Sequence, residues 1–438
     1  MAQTKDQKMA AAAEAASKRS KGKKPLKDMK KYVVIGVSAL VMLGAIYLAA
    51  TDNAGGKKKS RDTYRSRASA QVNDRYFVGD VTSYAAGNFT AAASPFFNGW
   101  SYADVSYGLD GVGIRAEGMI GFSGALQRCS DEGEGLEGGA VPPSYDLREQ
   151  KPGCEAGPIY DQGNCSSSYA IAAATALASR FCFSDPDTYA KTQLSPQQIV
   201  SCDKKSQGCN GGGLDAVWSY IERRGLFPET CVPFAGAKTA ACKSDCNPEQ
   251  KLKALDHCLM GGDKRIKREI YNRGPVVLPV YLKDDFLVYK SGVYTPTDNA
   301  NQQYGANGEP LVTAVTVMGW GRSEGTPYWL VKNSWGTGWG EDGYARIAIN
   351  SGAAREESAV VGYAATKEAL EEAAKKKEAA EKRREELKKE RAERDARIRE
   401  REAERAREAA EKAAEDEDLD FEDDEEVDVD SEEVGDDP

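Results

Sequence analysis

Histidine is the scarcest residue of this 438-residue chain; there is one, His257. Any catalysis that moves a proton through an imidazole near neutral pH therefore has a single candidate side chain. Cysteine is missing from both ends, all ten lying between Cys129 and Cys258. An even, clustered set points to disulfides and an oxidising compartment rather than to scattered reduced thiols. Cations are missing from residues 415–438, which carry sixteen of the sixty-nine Asp and Glu. The formal charge of −10 thus hides a preceding chain near +6. A stretch this acidic buries no core, and it reads as a disordered tail. Large apolar residues are nearly missing from 367–414, where only Leu370, Leu387 and Ile398 stand among alanines and charges. That excludes the apolar seam of a coiled coil. Seventeen Lys/Arg against fifteen Asp/Glu fall instead into repeated i,i+4 pairs, Glu372–Lys376, Glu378–Lys382, Glu385–Lys389, Glu390–Arg394 and Glu393–Arg397. The reading is a solvated single helix, about 70 Å long at 1.5 Å per residue.

One long hydrophobic run is present. Residues 1–31 are rich in Ala and Lys, and Tyr32 to Ala50 then holds nineteen residues without a charge. As a helix it spans roughly 28 Å, enough for a membrane and too long for a typical signal-peptide core. Residues 32–50 are therefore expected to be a transmembrane helix, with 51–67 a basic juxtamembrane linker. Basic residues flank both ends, so charge counting favours a cytoplasmic N-terminus only weakly. The cysteines settle the expectation: a single-pass protein whose bulk is lumenal or extracellular in the secretory pathway. The sequon Asn88-Phe89-Thr90 fits that placement as a glycosylation candidate. The alternatives are an organelle membrane reached by a presequence, since the leader is poor in acid, and a buried core helix.

Residues 68–140 are rich in Gly, Ser, Ala and Tyr, with aromatics (Tyr76, Phe77, Phe89, Phe96, Phe97, Trp100) that imply packing on something larger. They close in a flexible linker, Asp131 to Gly139. From about residue 141 the texture becomes globular. An alanine-rich helix is expected over Ala170–Arg180, and a second after Ser195-Pro196. Val276–Tyr281, Leu311–Met318 and Tyr328–Val331 read as strands. A helical half followed by a sheet half implies an α+β domain of two lobes. Asp161-Gln162-Gly163-Asn164-Cys165-Ser166-Ser167-Ser168 reads as a polar loop opening the first helix. There the macrodipole and free N–H groups would stabilise a thiolate, but Ser168 stands at the position.

The blocks Pro142-Pro143-Ser144-Tyr145-Asp146, Asp161–Cys165, Leu194-Ser195-Pro196-Gln197-Gln198, Gly208-Cys209-Asn210-Gly211-Gly212, Tyr289-Lys290-Ser291-Gly292-Val293-Tyr294 and Tyr328-Trp329-Leu330-Val331-Lys332-Asn333-Ser334-Trp335-Gly336 occur in order. Together they resemble the papain-like cysteine proteases, and within them cathepsin B, over residues 141–364. The resemblance implies a two-lobed α+β fold with a helical lobe and a β-barrel-like lobe, and a propeptide-like role for 68–140. It also implies the disulfides Cys154–Cys182, Cys165–Cys209, Cys202–Cys242 and Cys231–Cys246. Cys129 and Cys258 are left to pair with each other or with another chain.

The departures from that family bear on function. By resemblance Gln162 and the Ser168 N–H would form the oxyanion hole, and Asn333 would orient an imidazole. Ser168 stands for the nucleophilic Cys, Tyr169 for the Trp after it, and Thr313 for the His. A Thr hydroxyl is no base near neutral pH, and a Ser hydroxyl needs one. His257 lies outside the motifs and reads as a surface or loop imidazole. Gln162 and Asn333 keep packing and hydrogen-bonding roles. The expectation is an inactive cathepsin B-like binding or scaffold protein needing no cofactor or metal, with protein partners and no nucleic acid. Two alternatives stay open. One is a Ser peptidase with a non-standard base such as His257. The other is a tail that binds Ca²⁺ or a basic partner through its carboxylates.

Overall fold

A computed structural model describes residues 69–109, 127–129, 140–236, 240–243, 245–305 and 308–422. The apolar run 32–50 and its basic flanks lie outside these. Among the described residues no helix is long and apolar enough to cross a membrane. Residues 69–71 with 100–103 form one unit, and 72–99 with 104–422 form another.

The N-terminal part holds α1 (Arg75–Tyr84), β1 (Phe89–Ala91) and α2 (Tyr102–Gly108). Asp74 starts α1 by accepting the backbone N–H groups of Tyr76 and Phe77 at 3.0 Å. Then follow β2 (Tyr145–Asp146), α3 (Ser168–Ser184), α4 (Pro196–Cys202) and α5 (Leu214–Arg224). Ser195 caps α4 through the Gln198 N–H at 3.0 Å, with Pro196 in the first turn. The sheet half holds β3 (Ala254–Met260), α6 (Asp263–Arg273), β4 (Val276–Tyr281) and β5 (Tyr289–Tyr294). It continues with β6 (Val312–Ser323), β7 (Thr326–Lys332), β8 (Tyr344–Ala348) and β9 (Ala359–Ala364). A last helix, α7, runs Lys367–Glu422.

The strands form one mixed sheet in the order β1-β5-β8-β7-β6-β4-β9-β3, with β2 added on β6. Only β5 and β8 run parallel among the pairs. The three expected strands are β4, β6 and β7, and β6 is buried from Val312 to Gly321, with Arg322 exposed and Ser323 half-buried at its end. Fully buried apolar runs are what a strand covered on both faces requires.

The first expected helix is α3, and all but its last two residues are buried. Eight small side chains, Ala170, Ala172, Ala173, Ala174, Ala176, Ala178, Ser168 and Ser179, let its backbone lie close to the sheet. Thr316 of β6 donates its hydroxyl to the Ala172 carbonyl at 3.3 Å, a direct stitch across that contact. Around α3, Leu177, Phe181, Val217, Trp218, Ile221, Val277 and Val360 complete the apolar cluster.

One ion pair sits inside this core. Arg180, 3% exposed, donates to Glu269 of α6, and through Nη1 to the carbonyls of Gly274 and Pro275 at 3.1 Å each. Arg273 approaches the other Glu269 oxygen at 3.0 Å. The guanidinium thus locks α3 to the α6–β4 turn.

All ten cysteines are paired: Cys154–Cys182, Cys165–Cys209, Cys202–Cys242, Cys231–Cys246 and Cys129–Cys258. The last resolves the open pair as an intrachain bond.

α7 departs from the expected boundary. It continues past residue 414 to Glu422, so the first eight residues of the expected disordered tail are helical. The ion pairs Glu372–Lys376 at 3.0 Å, Glu378–Lys382 at 2.9 Å and Glu393–Arg397 at 4.0 Å lie on it, all with solvent-exposed side chains. Residues 423–438 lie outside the described set.

Glu269→Gln strands the buried Arg180 charge without its carboxylate. The expected loss is about 3–5 kcal/mol, read as a lowered denaturation midpoint of the oxidised protein. An unchanged midpoint would mean that the two carbonyls alone satisfy Arg180.

Candidate functional site

Ser168 is the first residue of α3 and is fully buried. Its Oγ accepts the Ala314 N–H from β6 at 3.2 Å. Thr313, one residue earlier on β6, is 1% exposed. Cross-strand pairing holds it against Val280. Its hydroxyl has no hydrogen-bond partner among the described residues. The start of α3 thus meets β6 at Ala314, the residue after Thr313.

Gln162 also arrives, and its carboxamide is committed on both sides. Nε2 donates to the Cys165 carbonyl at 2.9 Å, and Oε1 accepts the Ser334 hydroxyl at 2.6 Å. The Gln162 N–H donates to the Ser334 carbonyl at 2.9 Å. The hydrogen-bonding role expected for Gln162 is thus filled, with Ser334 as a partner that the sequence motif did not single out. Cys165–Cys209 and the 2.9 Å bond from Ser166 N–H to the Cys209 carbonyl pin the loop. Tyr169 lies over Gly212, where any Cβ would meet its ring, and donates its hydroxyl to the Gly208 carbonyl at 3.0 Å.

Asn333 departs from expectation. It is 2% exposed, and neither Nδ2 nor Oδ1 of its side chain has a partner among the described residues. Its backbone N–H donates to the Gly343 carbonyl at 3.0 Å. A buried, unpaired carboxamide costs free energy, because it has given up water for nothing.

Lys332 beside it carries its ammonium to the carbonyls of Glu155, Ala156 and Gly157 at 3.0, 2.8 and 2.8 Å. Burial pushes the pKa down to about 8, opposed by Glu155. Three carbonyls matched to three protons hold the charged form, and the amine pins the loop before Tyr160 to β7.

His257 is neither a surface nor a loop residue. It lies in β3, with Nε2 at 3.2 Å from Asp215 Oδ1 and Nδ1 against Glu222, both carboxylates on α5. Burial favours the neutral ring, but Glu222 and then Asp215 outweigh it and raise the pKa above 6.5. The imidazole staples α5 to β3, and both carboxylates favour its protonated form. Three strand spacings, about 14 Å, separate β3 from β6 in the sheet. Glu222, Asp256 and His257 group their ligand atoms within 4.8 Å of one another. Ala359 is fully buried at the start of β9. Asn88 of the sequon is exposed beside β1.

An apolar side chain of similar volume should do better at position 333. Asn333→Leu is expected to hold or raise stability, by up to about 1–3 kcal/mol, in denaturant titration of the oxidised protein. A loss beyond about 1 kcal/mol would reveal a partner for the carboxamide.

The sequence profile described as papain family cysteine protease matches residues 141–365. Cathepsin B-like CP3 of Giardia intestinalis is 35% identical over 235 residues, 51% of this chain and 74% of that protein. Tubulointerstitial nephritis antigen of Homo sapiens is 31% identical over 243 residues, 48% of this chain and 51% of that protein. Among solved structures, procathepsin B S9 of Trypanosoma congolense superposes with a TM-score of 0.58 at 29% identity, covering 68% of this chain and all of that one. The motif blocks, the α+β fold and these matches agree: the chain belongs to the papain family of cysteine proteases, among cathepsin B-like relatives.

Proposed function

We propose that this chain is a catalytically inactive cathepsin B-like protein that serves as a binding or structural subunit. In this reading it is held to a membrane by residues 32–50. Residues 1–31 face the cytoplasm, and the papain-like domain is lumenal or extracellular.

The observation that carries the loss of catalysis is chemical. The family's reaction needs a nucleophile deprotonated by an imidazole, which then returns the proton to the leaving group. Here Ser168 Oγ, whose hydroxyl is a far weaker acid than a thiol, faces the Ala314 N–H. The side chain at the base position is the Thr313 hydroxyl. The single His lies on the distant strand β3, and both its ring nitrogens are engaged by carboxylates of α5. The unpaired Asn333 carboxamide is what an orienting group becomes when the ring it oriented is gone. That one relative is named as an antigen rather than a proteinase is compatible with a non-catalytic use of the fold.

The five disulfides support an oxidising compartment. The nineteen uncharged residues of 32–50 support an anchor. α7, solvated on all sides, supports a spacer that carries the acidic C-terminus away from the domain.

A serine-directed fluorophosphonate is expected to leave the protein unlabelled, alike for the wild type and Ser168→Ala. Labelling lost on that substitution would establish a Ser peptidase with another base. For the binding role, affinity capture with the full chain and with a chain ending at residue 366 is expected to recover a partner that depends on α7. Identical recoveries from the two would assign binding to the domain instead. In carbonate extraction of membranes the full chain should stay in the pellet, and deletion of 32–50 should release it.

A further inference from the structure

The N-terminal segment is bonded at both outer edges of the sheet. At one edge β1 pairs antiparallel with β5, Phe89 opposite Gly292 and Thr90 opposite Ser291. The fit depends on Gly292, at φ +97°, where a Cβ would stand 2.5 Å from the Asn88 carbonyl and 2.7 Å from the Phe89 Cα. Phe96 and Phe97 continue the contact onto Trp335, with ring centroids 6.0 and 5.3 Å away, and Pro95 fills the space left by Gly338. Ser106 donates to the Tyr304 carbonyl at 2.9 Å.

At the other edge Arg128 bridges Leu259 of β3. Cys129 N–H donates to the Leu259 carbonyl at 2.8 Å, and Leu259 N–H to the Gln127 carbonyl at 2.9 Å. Arg265 of α6 donates to the Cys129 carbonyl at 2.9 Å. Cys129 is then bonded to Cys258, and both are 7% exposed.

We propose that this segment is a covalently locked strap. A backbone cut anywhere in residues 130–139, the linker that follows Cys129, leaves it attached as a disulfide-linked second chain. It leaves only when Cys129–Cys258 is reduced. The segment thus differs from a pro-region that dissociates once its linker is cut, and this holds whether or not Ser168 is inert. Release requires a dithiol reductant. Its thiolate attacks one sulfur, the S–S bond breaks, and a second exchange expels the other. Cys129 and Cys258 end as thiols, and the reductant as its own cyclic disulfide. Burial of both cysteines makes this bond resist mild reductants, as access controls the attack.

The test uses the full chain with a site-specific protease sequence inserted between Gly138 and Gly139 and an N-terminal affinity tag. After cutting, the tagged protein is held on a resin in native buffer, and loss of the C-terminal fragment is timed. The wild type is expected to run as one species on a non-reducing denaturing gel and as two when reduced. Cys129→Ser with Cys258→Ser is expected to give two species without reductant. It should release its C-terminal fragment from the resin at least about a hundredfold faster than wild type, since the tether's effective concentration is gone. Adding Gly292→Val should quicken release further in the double-serine protein only.

Two species from cut wild type without reductant would overturn the proposal, as would equal retention by wild type and the double-serine protein. Should the double-serine protein fail to fold, the cut wild type is titrated with dithiothreitol and its thiols are mapped by mass. Release in step with opening of Cys129–Cys258 supports the lock, and release before it overturns the lock.

Discussion

The closeness of α3 to the sheet is the constraint on which the site depends. Ser168 meets the Ala314 N–H because the helix behind it is faced with alanine and lies where larger side chains would not fit. Interiors packed to crystal density leave little slack, so the first residue of α3 is placed by the ten residues behind it. The Arg180–Glu269 pair fixes the far end of the same helix. An ion pair in a core is a poor source of net stability, but it permits one register, because any slip strands a charge. Apolar closeness at one end and a buried charge at the other leave α3 no freedom to shift along β6.

Within that frame the molecule keeps the packing and hydrogen bonds that surround Ser168 and Thr313. The Gln162–Ser334 pair, the Cys165–Cys209 bond and the Lys332 ammonium on three carbonyls all hold the loop and strand that would present a nucleophile. These contacts stabilise the fold regardless of chemistry. The carboxamide of Asn333 contributes nothing comparable, having no partner among the described residues. Supports that also serve packing persist for a physical reason, and Asn333 marks where that reason stops.

Much of this was legible in the sequence. β4, β6 and β7 announce themselves by apolar runs too long for one-sided burial. α4 is declared by Ser195-Pro196, and the site by motif blocks that place Gln162, Ser168, Thr313 and Asn333. The misses share a cause, which is that their determinants are non-local. α1 and α2 sit in a segment of weak periodicity, where Asp74 capping and docking onto the papain-like domain supply the order. His257 reads as a surface or loop imidazole because it lies outside every motif block. Its partners Asp215 and Glu222 are one helical face away on α5, thirty-five and more residues earlier. The empty hydrogen-bond valences of Asn333 appear only when every neighbour is counted. Pairing of opposite charges predicts an end for α7 at residue 414, eight residues short of Glu422. Helical backbone persists over the acidic run to Glu422 after the cations cease.

The root of α7 carries a mechanical consequence. Only Ala365 and Thr366 separate it from β9, and both are held. Ala365 N–H donates to the Lys253 carbonyl at 3.0 Å, Thr366 N–H to Ala364 at 2.9 Å, and the Thr366 hydroxyl accepts the Ala369 N–H at 3.2 Å. No glycine or proline interrupts the fifty-six residues that follow. The helix is therefore a boom about 84 Å long, stepped directly into a strand paired on both sides. A lateral pull at its tip acts on β9 with the full leverage of that length. A rotation of about 5° at the footing sweeps the far end by about 7 Å, more than one helical turn. Load applied to the acidic end is thus delivered to the strand that lies between β4 and the disulfide-bonded β3.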